Sequence, residues 1–249
     1  MSGHNKWASI KHKKMAMDAR RGKMFTKIIR EIMMAAKLGG GNPESNPHLR
    51  MAIERARSIN MPNDNIQRAI KKGTGEEGGV ALEAVGYEGY GPGGVAILVE
   101  TLTDNKRRTA AEIRSIFSRH NGSLGESGCV SWMFERKGVI TVKKEGTDEE
   151  KLLSLVLDAG AEDLKLDNDL FEIVCPPDKL EAVKKILEEN KISVESASVN
   201  LIPKNTVRVE GKEAEQLLKL LDELEEHEDV QNVHSNFDIP DELIEAMSR

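Results

Sequence analysis

The chain has 249 residues, 39% of them hydrophobic, 31% charged and only 4% aromatic, a soluble composition long enough for two or three domains with aliphatic cores. Two distant cysteines, Cys129 and Cys175, exclude a disulfide framework and point to a reducing cytoplasm, and no apolar run approaches the roughly 20 residues that cross a bilayer. The net charge of −6, taken as an average, argues against a nucleic-acid partner.

The average conceals a partition. Residues 1–72 hold 16 Lys and Arg against 5 Asp and Glu, a net of +11, whereas the rest hold 20 against 37, a net of −17. Such an asymmetry points to a polyanion partner for the basic part. The N-terminus lacks the apolar core of a secretory signal, and Ser2–Lys14 leads straight into patterned helix, so it reads as part of the mature protein.

In chain order, about 1–79 reads as a helical domain. Met24, Phe25, Ile28, Ile29, Ile32, Met33 and Ala36 recur at helical spacing until Gly39-Gly40-Gly41. Asn46-Pro47 opens a second helix with Leu49, Ala52, Ile53 and Ala56 on its inner stripe. Pro62 opens a third, with Ile66, Ala69 and Ile70 inward, and Gly73 is expected to end it before a Gly-rich linker at 73–79.

Beyond the linker, 82–88 and 94–102 read as strands, 105–120 as a helix and Cys129–Phe134 as a strand. Residues 139–202 then follow the order β-α-β-β-α-β of a ferredoxin-like domain. Strand 206–209, helix 211–226 and strand 230–237, added to 94–134, make a second such set. The expected class is α+β: a three-helix domain at 1–79, a ferredoxin-like domain from 80–137 with 204–249, and a second, 138–203, inserted in it.

The basic N-terminus is the leading candidate site. Lys6, Lys11, Lys13, Lys14, Arg20, Arg21, Lys23, Lys27 and Arg30 face a single acid, Asp18, in the first 30 residues. Lys23, Lys27, Arg30 and Lys37 share the helix face opposite the apolar stripe, an arrangement suited to phosphate. Arg50, Arg55, Arg57, Arg68, Lys71 and Lys72 could widen it. The plainer alternative is a solvated basic face. Trp7 and His12 interleave with the lysines, and Trp7 either stacks on a base or pins the arm by apolar contact. Lys106, Arg107 and Arg108 begin a helix, where they could add phosphate contacts or form a solvated first turn capped by Asp104. The acidic run Asp222–Asp229 reads as a solvated helix end that repels nucleic acid.

Gly89 to Gly94 matches the spacing of a dinucleotide-binding loop, but it leads into a strand rather than a helix and reads as a hairpin. No nucleophile elbow, zinc-protease motif, P-loop or C-x-x-C occurs, and His4, His12, His48, His120, His227 and His234 show no ligand spacing. The expectation is a non-enzymatic, monomeric protein without cofactor or metal.

GHNKWASIKHKK, RGKMFTKIIREI, NMPNDNIQRAIKKG, YEGYGPGGVA, LTDNKRRT and VQNVHSNFDIP, spread from residue 3 to residue 240, resemble the YebC family. Cys129 and Trp132 depart from the Ser and Tyr expected there. The resemblance implies three domains, one helical and two α/β. It also implies a DNA-binding transcriptional regulator, or alternatively a translational activator on ribosomal RNA. No set of base-reading side chains is evident, so strong sequence specificity is not expected. An enzyme or a protein-interaction scaffold remain the other classes.

Overall fold

The computed structural model of the chain describes residues 17–76, 78, 81–167 and 169–240, with no account of the side chains of 17–21 and 167. The described residues fall into two compact units. One comprises Trp132–Val207 with Asn236–Asp238; the other comprises residues up to Ser131 together with Arg208–Ser235 and residues 239–240.

The helical part of the larger unit is α1 (Met17–Gly39), α2 (Pro47–Ser58) and α3 (Asn63–Thr74). Their apolar stripes meet as the sequence periodicity requires: Ile32, Leu49 and Ile66 are fully buried, each worth about 1.5–3 kcal/mol against exposure. Asn46 joins two helix ends. Its Oδ1 accepts the Leu49 N–H at 3.1 Å as N-cap of α2, and its Nδ2 donates to the Ala35 and Gly40 carbonyls at the end of α1. Gly73 does not end α3. The helix runs to Thr74 and closes on Gly75, whose φ of 87° is the left-handed C-cap. Gly73 instead allows close packing, since a Cβ there would lie 2.5 Å from the Met33 carbonyl oxygen of α1.

The same unit continues with β1 (Glu83–Tyr90), β2 (Ala96–Thr103), α4 (Lys106–Arg119) and β3 (Ser123–Leu124). Gly89–Gly94 lies at the hairpin between β1 and β2, with Gly93 and Gly94 at positive φ. The glycines supply the tight turn, as read from the sequence.

The smaller unit holds β4 (Phe134–Lys143), α5 (Glu149–Asp158), β5 (Asp163–Asp167), β6 (Leu170–Cys175), α6 (Leu180–Glu189) and β7 (Val194–Pro203). Its antiparallel sheet has the order β5-β6-β4-β7, and Ile140, Phe171, Ile173, Leu152 and Val183 fill the space under the helices. This is the ferredoxin-like arrangement.

The chain then adds β8 (Val207–Arg208), α7 (Gly211–Glu226), β9 (Val230–Ser235) and β10 (Phe237–Asp238). The larger unit's sheet runs β3-β1-β2-β9. It keeps the ferredoxin-like strand order, but its strands are not those the sequence suggests. The slot between β3 and β2 is taken by β1, because the short hairpin closes locally at little entropic cost. Val207–Arg208 pairs with β10 in a separate ribbon.

Cys129–Phe134 is not a strand either. Ser131–Met133 forms a 3-10 turn and β4 begins at Phe134. The reason is the buried Glu88, whose carboxylate accepts the backbone N–H of Gly128, Val130 and Ser131 at 2.7–2.8 Å. Donors spent on one carboxylate cannot build a ladder.

Candidate nucleic-acid interface

α1 is amphipathic, so burying Ile28, Ile32 and Met33 turns Lys23, Lys27 and Arg30 to the opposite side. That side is partly covered. Lys23 lies 3.4 Å from the Glu226 carboxylate, and Lys27 donates to the Glu225 carbonyl at 2.5 Å. Arg30 donates to the Glu228 carbonyl and pairs with Asp229 at 2.6 Å. One stripe of α1 thus meets one segment, the acidic end of α7 and the short turn that follows it.

Asp229 is the centre of this contact, with a side chain 2% exposed. One oxygen takes Arg30; the other accepts from Arg108 at 2.8 Å and the Thr109 hydroxyl at 2.6 Å. The Thr103 hydroxyl, 2.7 Å from that of Thr109, accepts the Asn105 N–H, so a line of donors ends on the carboxylate. Burial by itself raises the Asp229 carboxyl, but the Thr109 and Arg108 hydrogen bonds and the charges of Arg30 and Arg108 outweigh it and hold it below the ordinary value. The reading of Asp222–Asp229 as a solvated helix end is therefore corrected at Asp229: two guanidinium groups and a hydroxyl draw the carboxylate inside.

Glu112, His227 and Asp229 bring three potential metal ligands within 4.8 Å of one another. Their atoms are already engaged. His227 Nδ1 accepts the Asp229 N–H, which leaves Nε2 as the donor facing Glu112 at 2.9 Å. The cluster is accounted for as hydrogen bonding.

The remaining cations divide into engaged and free. Lys37 donates to the Leu82 carbonyl at 2.9 Å, Arg50 to the Pro43 carbonyl, and Arg55 to both Glu31 oxygens at 3.0 Å. Lys106 pairs with Glu83, and Arg108 also reaches Asp104. The cap of α4 is Asn105, accepting from the Arg108 N–H at 3.1 Å, rather than Asp104, which the Arg108 guanidinium occupies. Arg57, Arg68, Lys72 and Arg107 are exposed, and their side chains have no hydrogen-bond or ion-pair partner among the described residues. Lys71, next to Lys72 on α3, is exposed as well. Lys6, Trp7, Lys11, His12, Lys13 and Lys14 lie outside the described residues; Arg20 and Arg21 lie on the first turns of α1, their side chains outside the description. Asp229, Thr109 and Glu88 carry no local motif, so sequence reasoning missed them.

Two family models span most of the chain. Residues 5–76 match the TACO1/YebC N-terminal domain and residues 82–237 match the TACO1/YebC second and third domain. The chain belongs to the TACO1/YebC family. A relative in Dictyoglomus turgidum is 57% identical over the whole of both chains, and one in Carboxydothermus hydrogenoformans is 58% identical over 97% of this chain and 100% of its own. Both carry the name "Probable transcriptional regulatory protein". The crystal structure of a conserved hypothetical protein from Aquifex aeolicus is 49% identical, with a TM-score of 0.79 over 91% of this chain and 93% of that one. This family member therefore shares the fold of a structure solved by experiment. Among the described residues, no helix is long and apolar enough to cross a membrane.

Proposed function

We propose that the protein is a non-enzymatic regulator that binds nucleic acid, DNA foremost, in the cytoplasm. It acts as a monomer and grips phosphate through its helical domain, residues 1–79, which precedes the 80–137 plus 204–249 domain and its 138–203 insertion. The observation that carries this is the charge partition, +11 over residues 1–72 against −17 over the rest. The names of the relatives support the regulatory part, and Cys129 and Cys175, which form no disulfide, suit a reducing compartment. Arg57, Arg68 and Lys72, exposed on α2 and α3, are the described cations readiest to meet phosphate, together with Lys71 and the basic stretch from Lys6 to Arg21.

Binding of the full chain to a labelled DNA duplex should weaken steeply with salt, each phosphate contact contributing about −0.9 to the slope of log affinity against log salt. Replacing Arg68 and Lys72, or Lys13 and Lys14, by Ala should flatten that slope by up to about two units and weaken unrelated sequences alike. An unchanged slope in a folded double variant would reduce these residues to solvated cations. Crosslinking in cells, with sequencing of bound DNA and RNA, should enrich promoters. Enrichment on ribosomal RNA instead would make the protein a translation factor.

A further inference from the structure

We propose that the acidic end of α7 is a built-in competitor for the nucleic-acid backbone: it occupies the Lys23–Lys27–Arg30 face of α1, and a polyanion gains that face by displacing it. The inference rests on the phosphate-binding reading above and adds a regulated surface to it.

The acceptors on α7 resemble what a phosphate backbone presents. They are a carboxylate from Glu226, one from Asp229, and the main-chain carbonyls of Glu225 and Glu228 beyond or at the last turn. The carbonyl end of a helix carries about half a negative charge, which favours cations there. α7 has none of its own in its last turn, which instead holds Glu223, Glu225 and Glu226. Arg119 and His120 at the end of α4 pair with Glu223, and α1 supplies the cations that meet Glu226 and the Glu225 and Glu228 carbonyls from about 200 residues away in sequence, its contacts spanning 198 to 203 positions.

The contact is also built to open. The Lys23–Glu226 pair is 47% exposed on both sides, so salt screens it and it contributes little. Asp229 loses one partner on opening but keeps Arg108 and Thr109, so no orphaned buried carboxylate remains. The apolar cluster of the helical domain includes Leu82 but no residue of α7 or of β2 and β9. Undocking therefore breaks polar contacts without opening that apolar cluster, a change within reach of a competing polyanion. By linkage, the affinity for that polyanion is lowered by the fraction of protein that stays docked.

The test uses the full chain with Lys23→Cys and Glu226→Cys on a Cys129→Ser background, joined by a short bismaleimide. A labelled DNA duplex and a labelled RNA hairpin serve as probes. Locking should weaken binding to both and flatten the salt slope by up to about two units on duplex, the share of Lys27 and Arg30, relative to the same protein before crosslinking. Glu226→Gln should strengthen binding by up to about fivefold, more than Glu215→Gln, which removes the same charge at the other end of α7. A locked protein with unchanged affinity and slope overturns the proposal while leaving phosphate binding intact elsewhere. Equal effects of the two Gln variants overturn it too, as a matter of net charge alone. If no variant binds either probe, the failure is of the nucleic-acid reading itself, and the competitor falls with it.

Discussion

At the scale of single residues, two buried carboxylates hold more of the structure than their neighbours. Asp229 takes two arginines and a hydroxyl, so Asp229→Ala leaves Arg30 and Arg108 without their shared counter-charge and should cost about 3–5 kcal/mol in urea unfolding. Its folded pKa is depressed, so its contribution is fully present above the unfolded carboxylate value of about 3.9 and is lost as the pH falls through the lower folded value. The stability gap between the native protein and Asp229→Asn should be full at neutral pH and shrink steadily below about pH 4. A gap that persists unchanged through the acid range would mean the carboxylate is not held by its charge. Glu88 makes a similar case: burial raises its pKa, but the three backbone donors and Ser131 prevail and lower it. Glu88→Gln turns an amide against one of those N–H groups and should cost about 1–3 kcal/mol. Hydrogen exchange at Gly128, Val130 and Ser131 should then accelerate more than elsewhere.

At the scale of elements, the contact of α3 with α1 turns on a missing side chain. Alanine is intrinsically better than glycine inside a helix by about 1 kcal/mol, so propensity alone predicts that Gly73→Ala stabilises. The added Cβ would lie 2.5 Å from the Met33 carbonyl oxygen and 2.8 Å from the Ala36 Cβ, both on a rigid helix. Overpacking of this kind costs about 1–3 kcal/mol, which exceeds the propensity gain over most of its range. Gly73→Ala should therefore lower the melting temperature, whereas an increase would show that α3 can shift away from α1 freely. The terminal Gly75 has open space around it, and its φ of 87° alone makes substitution there unfavourable.

At the scale of the molecule, the basic first third and the acidic remainder meet within one unit, at α1 and the end of α7. The exposed part of that contact should respond to ionic strength, because the Debye length falls from about 10 Å at 0.1 M to about 3 Å at 1 M salt. A zero-length carbodiimide coupling of Lys23 to Glu226 should become less efficient as salt rises. A yield independent of salt would show the two helices held by something other than these charges. Under the proposed function, a polyanion and the α7 end would compete for one set of cations.

The sequence by itself determined the local architecture. Apolar period, the Asn46-Pro47 start and the glycine hairpin place α1, α2, α3 and the β1–β2 turn, and the strand-helix order read over 139–202 specifies the ferredoxin-like sheet. These follow from neighbours along the chain, where dihedral preference and side-chain period decide. It also marked the cations. What only the tertiary structure decided is which acid each cation meets. Lys27 and Arg30 are spaced like phosphate ligands whether their partner is a nucleic acid or a segment 198 residues away, because spacing records a helix face and not what covers it. The third strand slot, the turn around Glu88 and the burial of Asp229 were hidden for the same reason: each depends on a pairing across long loops, whose partners no local pattern names.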